Sequence, residues 1–308
     1  MLVKNGFSGK VYCTHATRDL CKVLLLDSAH LQEEEAEFAN RRGFSKHHPA
    51  LPLYTKDDAE RAIELLTPVE IEKEMHITGN MYASFSPNGH ILGSVFVKIH
   101  NTKTSILFSG DLGRSQDVLM RPPSPIKNTD YLVLESTYGN RLHDDEDTML
   151  RLATIINRTA KRKGVVMIPV FAVGRAQELL YCIYMLKNTG QIDMNIPVYL
   201  NSPMAVEATE IFTRHLGEHR LTKAQCQALS KVAHTVNSVN ESRQLNEKKG
   251  PMIILSASGM ASGGRVVHHL KAFAPKSNNT ILFVGFQAAG TRGAAMLDGV
   301  KEIKIHGE

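Results

Sequence analysis

The hydrophobic pattern of this 308-residue chain changes character about halfway along. In the first half, KVYCT (10–14) predicts a short strand. The stretch from Thr17 to Gly43 follows as one or two helices, with Thr17 as N-cap and Gly43 as stop. KDDAERAIELL (56–66) is amphipathic, with Ala59, Ala62, Ile63 and Leu66 on one face. The period then falls to two: Val95, Val97 and Ile99 alternate with Ser94, Phe96 and Lys98. SILFSG (105–110) follows the turn residues NTKT, which predicts a hairpin. DYLVLES (130–136) is a third strand, apolar enough to be central.

From residue 164 onward, apolar runs alternate with helical patterns. Strands are expected at 164–171, 196–200, 251–258 and 280–286, and helices at 174–190, 205–216 and 264–273. Leu179, Ile183 and Leu186 face inward in the first helix. The stretch 217–250 reads as polar and helical. Apolar strands separated by helices predict a parallel α/β sheet with right-handed crossovers.

Composition narrows the picture. Hydrophobic residues make up 43% and charged residues 22% of the chain, as in ordinary globular proteins. No run approaches the roughly 18–20 apolar residues of a membrane span, and the N-terminus lacks the apolar core of a signal peptide. A cytoplasmic protein without membrane contact is expected. The four cysteines, Cys13, Cys21, Cys182 and Cys226, form no C-x-x-C pair, so reduced thiols are expected. Charge is uneven. Residues 1–145 hold 16 Lys and Arg against 19 Asp and Glu, whereas residues 146–308 hold 20 against 12. Two domains divided near 145 are expected, the second facing a polyanion or carrying lysines that solvate its helices.

The stretch SPNGHILGSVFVKIHNTKTSILFSGDLGR (86–114) carries the first candidate chemistry. With Asn101–Thr102 as a two-residue loop, His100 faces Lys103 and Asp111 falls opposite Leu92, two residues from His90. Imidazole and carboxylate converging at the open end of a hairpin suit zinc, manganese or iron. The same residues also read as a backbone-bonded loop histidine and a turn cap.

Taken in order, GHILGS, FSGDLGR and LVLESTYGNR, then PVFAVGRAQELLY, NSPMAVEATEIF, SASGMASGGRVVHHL and VGFQAAGTRG, resemble the motifs of β-CASP nucleases of the metallo-β-lactamase fold. The resemblance covers essentially the whole chain. It implies a partial αββα metallo-β-lactamase sandwich (1–145) with an inserted parallel α/β β-CASP domain (146–308). It makes His90 a metal ligand, Asp111 a carboxylate bridging two zinc ions, and Glu135 an acidic residue that orients a histidine. Asn88 departs from the pattern, which has alanine before Gly-His. The family's H-x-H-x-D-H signature and a Ser-x-His-Asp histidine are absent, so the resemblance implies a chain cut at both ends, with an incomplete zinc site and no activity alone. His306 sits in a tempting His-Gly-Glu context but has no histidine 22 residues upstream, so a strand residue is expected there.

Other candidates are weaker. Cys13 with His15, and the adjacent pairs His47–His48 and His268–His269, chelate one ion poorly. SASGM is no nucleophile elbow. In a parallel sheet, ligands gather at the strands' C-terminal ends, here FAVGR, NSPM, SASGMASGGR and GFQAAGTRG. Gly174, Arg175, Ser202, Ser258, Gly263, Gly264, Arg265 and Arg292 are therefore expected to hold nucleic-acid phosphate at helix N-termini. Glycines there also serve tight turns alone. Without interleaved aromatics, backbone tracking is expected rather than base readout. The expected function is metal-dependent hydrolysis of RNA, single-stranded RNA foremost, with DNA and a homodimer left open. The alternatives are a metal-free RNA-binding paralogue or scaffold and, further off, a small-molecule ester or thioester hydrolase.

Overall fold

The computed structural model describes residues 1–142 and 146–305, which build a mixed α/β structure of two units. The first comprises Met1–Asn140 and Gly217–Arg220, the second the described residues of Arg141–Leu216 and Leu221–Glu308.

Unit one begins with β1 (Val11–Cys13) and the long helix α1 (His15–Arg42). Thr14, three residues before the expected cap, has extended backbone, and its hydroxyl accepts the Thr17 N–H. Gly43 ends the helix at φ 67°, a left-handed conformation that favours glycine. Helix α2 (Lys56–Glu64) starts in a Thr55–Asp58 capping box. Leu66, expected on the helix, instead opens β2 (Leu66–Pro68) and pairs with Val11 in a two-stranded parallel sheet. Strands β3 (Glu74–Thr78), β4 (Met81–Pro87), β5 (Val95–His100), β6 (Ser105–Phe108) and β7 (Tyr131–Val133) form a second sheet in that order. The first three pairings are antiparallel and β6–β7 is parallel. Strands β3 and β4 add to the strands expected from the sequence.

The hairpin register differs from expectation by two residues: His100 pairs with Ser105 rather than Lys103. The cause is turn chemistry. Asn101 Oδ1 accepts from the N–H groups of Lys103 and Thr104, and Asn101 N–H donates to Thr104 O, closing a four-residue loop. A shift of two leaves every side chain on its face. Strand β7 is an edge rather than a central strand. Among the described residues it pairs with β6 alone, and Tyr131, Leu132 and Val133 are 62%, 50% and 49% exposed.

Unit two contains α3 (Thr148–Lys161), β8 (Val165–Pro169), α4 (Arg175–Asn188), β9 (Val198–Asn201), α5 (Pro203–Arg214) and α6 (Lys223–Lys231). Then come β10 (His234–Thr235), α7 (Val239–Glu247), β11 (Met252–Ser256), α8 (Arg265–Phe273), β12 (Thr280–Ile281) and α9 (Arg292–Leu297). The sheet order is β10-β9-β11-β8-β12, every pairing parallel. Every residue of β8 and β11 is buried, as continuous apolar runs in a doubly covered sheet require. Each such Ile or Leu contributes about 2 kcal/mol. One expectation changes: the last strand, expected over 280–286, is two residues long, while α3 adds a helix ahead of the first expected strand. Leu179, Ile183 and Leu186 are buried as expected. Among the described residues no helix is long and apolar enough to cross a membrane, and all four cysteines are free.

Candidate metal centre and phosphate-binding loops

Strands β4, β5 and β6 set two loops side by side. Residues 88–94 link β4 to β5, and residues 109–114 follow β6. His90 lies in the first and Asp111 in the second, with Nε2 and Oδ2 3.8 Å apart and the side chains 42% and 73% exposed. Two bonds of about 2.0–2.2 Å to one ion can span that separation, so the pair fits two positions of a donor set for a divalent metal. Among the described residues no group of three or more His, Cys, Asp or Glu is placed to hold an ion.

The two loops are packed closely. Gly113 N–H donates to Asn88 O at 2.9 Å. A Cβ on Gly113 would stand 2.0 Å from the backbone of Gly89, so only glycine allows this approach. Glu135 follows β7. Its Oε1 accepts the Leu112 N–H at 3.1 Å and its Oε2 the Thr137 N–H at 3.0 Å. These backbone bonds, chiefly, hold its carboxyl below the usual range, and His90 adds to the effect. Glu135 therefore ties down the residue after Asp111 and remains ionised.

In unit two, the parallel strands bring all four expected loops together, the Ser256 hydroxyl donating to Asn201 O at 3.1 Å. Val170 N–H donates to Ser256 O, and Gly259 lies against Phe171. Gln287 Nε2 donates to Gly259 O, and Gly293 N–H to Met260 O. Gly174 and Gly264 stand at the N-caps of α4 and α8, and Gly263 is exposed. Ser202 caps α5 by accepting from Ala205 N–H, and Ser258 accepts from Ser262 N–H. All three arginines have protein partners. Arg175 pairs with Glu178. Arg292 donates to Ala261 O and Lys304 O. Arg265 is the most engaged. It donates to Asn201 Oδ1 at 2.8 Å, Val236 O at 2.8 Å and Asn237 O at 2.7 Å, so its fork braces the loop rather than standing open to phosphate.

That brace begins a buried chain the sequence did not disclose. With Asn201 Oδ1 held by Arg265, its Nδ2 donates to Ser242 Oγ at 2.7 Å and to His269 Nε2 at 2.6 Å. His269 Nδ1 then carries the proton and donates to Asn246 Oδ1 at 2.5 Å. Burial, chiefly, with His268 and Arg265 adding to it, lowers the His269 pKa to about 4, so the ring is neutral at pH 7. His15 pairs with Glu70, Cys13 is buried, and His306 lies outside the described residues.

The Beta-Casp domain family matches residues 176–296. The chain is 33% identical to Ribonuclease TTHA0252 of Thermus thermophilus, over 100% of this chain and 68% of that protein. It is 34% identical to Transcription termination factor FttA of Methanocaldococcus jannaschii, over 99% of this chain and 48% of that protein. For the FttA of Lokiarchaeum sp. the values are 33%, 98% and 47%. The chain thus spans about two thirds of the first relative and about half of the other two.

Proposed function

Since the chain belongs to the β-CASP family of metallo-β-lactamase-fold nucleases, we propose that its protein hydrolyses phosphodiester bonds of single-stranded RNA, with zinc held in part by His90 and Asp111. The observation that carries this reading is the 3.8 Å approach of His90 Nε2 to Asp111 Oδ2 across two loops pinned by the sheet. A divalent metal, when bound, supplies Lewis-acid stabilisation of the phosphate and activation of water. His90 would contribute an imidazole nitrogen and Asp111 a carboxylate able to bridge two ions. Glu135 keeps the Asp111 loop in place through the Leu112 N–H.

RNA as the substrate follows from the relatives, one named a ribonuclease and others transcription termination factors. The 88–114 region is the metal-binding part of the proposal and residues 146–308 the β-CASP part. In the latter, Gly174, Arg175, Ser202, Ser258, Gly263, Gly264 and Arg292 would line the path of the RNA backbone. Arg175 offers the charged group there and Arg265 the brace behind it. The test is cleavage of a labelled single-stranded RNA by the full native polypeptide, before and after chelation and after zinc is restored. Cleavage lost on chelation and regained with zinc supports the reading. RNA bound but uncut in every condition would make the protein an RNA-holding scaffold instead.

A further inference from the structure

Asn88 is among the most buried polar residues of unit one, at 1% exposure, and all its polar groups act at the loop pair that carries His90 and Asp111. Its Nδ2 donates to Ser109 O and to Asp111 O, each at 2.9 Å. Its Oδ1 accepts the His90 N–H at 3.2 Å. Its own carbonyl accepts the Gly113 N–H at 2.9 Å, and its N–H reaches Ser94 O at 3.4 Å. One residue thus touches the backbone of both candidate ligands and the far ends of both loops.

The geometry points to Asn88 as a positioning residue that sets the spacing of His90 and Asp111 before any metal arrives, an inference that rests on the metal-centre reading above. The site asks for two donors aimed at two carbonyls and one acceptor aimed at an amide. A primary amide supplies that set. Aspartate has the same shape but turns a carboxylate toward two carbonyl oxygens. Glutamine has the groups but is one methylene longer, and at 1% exposure the side chain has no open space into which to extend. Alanine would leave two carbonyls and one N–H without their partner. With the backbones of both ligands held, the imidazole and the carboxylate keep only side-chain rotation, so little ordering remains for a metal to impose. Partners that orient metal ligands typically cost 10–100-fold in metal affinity when removed.

The experiment measures Zn²⁺ affinity by competition with a chromophoric chelator, in the full native polypeptide and in Asn88→Ala, Asn88→Asp and His90→Ala. It adds hydrogen exchange of segments 88–94 and 109–114 in the metal-free protein. The expected result is Zn²⁺ affinity 10–100-fold lower in both Asn88 variants, with faster exchange in both segments and unchanged circular dichroism. Loss of affinity in His90→Ala with wild-type affinity in Asn88→Ala would overturn the positioning role alone. Wild-type affinity in His90→Ala would overturn the metal reading and this inference with it. Should neither Asn88 variant fold, the unmutated protein still decides, because the Asn88 side-chain amide protons must exchange slowly in NMR spectra. Free exchange of those protons would contradict the inference.

Discussion

Acidification should destabilise unit two through His269. The ring is fully buried, accepts from Asn201 on one side and donates to Asn246 on the other. A second proton must go to Nε2, where it would meet the Asn201 amide hydrogens. Arg265 holds Asn201 Oδ1, so that amide cannot turn to receive it. Arg265 and His268 also disfavour added positive charge. With the pKa lowered from 6.5 to about 4, the neutral ring favours the folded state above pH 6.5. That contribution is lost as pH falls from 6.5 toward 4 and is fully gone below it. The gap between the two values corresponds to about 3 kcal/mol. The comparison is His269→Gln, which cannot titrate. Urea unfolding between pH 7.5 and 4.5 would be followed by the methyl NMR signals of Ile253 and Ile254, both wholly buried in β11. The wild type should lose about 2–3 kcal/mol more than the variant over this range. Parallel stability curves would refute the argument, and with it the assignment of His269 as a neutral buried group.

Three further outcomes are expected, the second of them resting on the proposed function. Arg265→Ala should destabilise unit two by at least about 2 kcal/mol, because it removes charge-assisted bonds to three acceptors; urea unfolding on the same methyl signals checks it. Arg175→Ala should weaken single-stranded RNA binding by about one to two decades and flatten its log–log salt slope by about 0.7, without the stability loss of Arg265→Ala. Gly113→Ala should lower the melting temperature of unit one and weaken zinc binding. Its methyl would force the two loops apart, and overpacking of this kind costs roughly 1–3 kcal/mol.

The parallel sheet of unit two was legible in the sequence because β8 and β11 are unbroken apolar runs between helical patterns. Helix α3 is less legible, although Leu152, Ala153, Ile156 and Thr159 form its buried face. The unit-one hairpin was legible in its faces but not in its register, since the length of its turn depends on what the Asn101 side chain accepts. Strand β7 reads as central from its own residues, yet which strands flank it is a tertiary fact. His90 and Asp111 stood out because glycine-rich loops bracket them. Asn88 stands out in the sequence only as a departure from the pattern's alanine, because asparagine before glycine is ordinary turn chemistry and only burial reveals its bonds. His269 and Arg265 were beyond local reading for another reason. Their shared partner Asn201 lies 68 and 64 residues away, and no local period records such a distance.

The role proposed for Asp111 is metal-dependent chemistry on RNA rather than RNA binding. Its carboxylate is 73% exposed, and among the described residues His90 is its polar neighbour, so removing it should leave the fold in place. The direct measurement compares Asp111→Ala with the wild-type full native polypeptide, scoring cleavage and binding of the same single-stranded RNA side by side at saturating zinc. Cleavage should fall to background, with RNA affinity within about a factor of three. Cleavage at the wild-type rate would contradict that role. So would equal loss of cleavage and binding in a variant whose circular dichroism is unchanged.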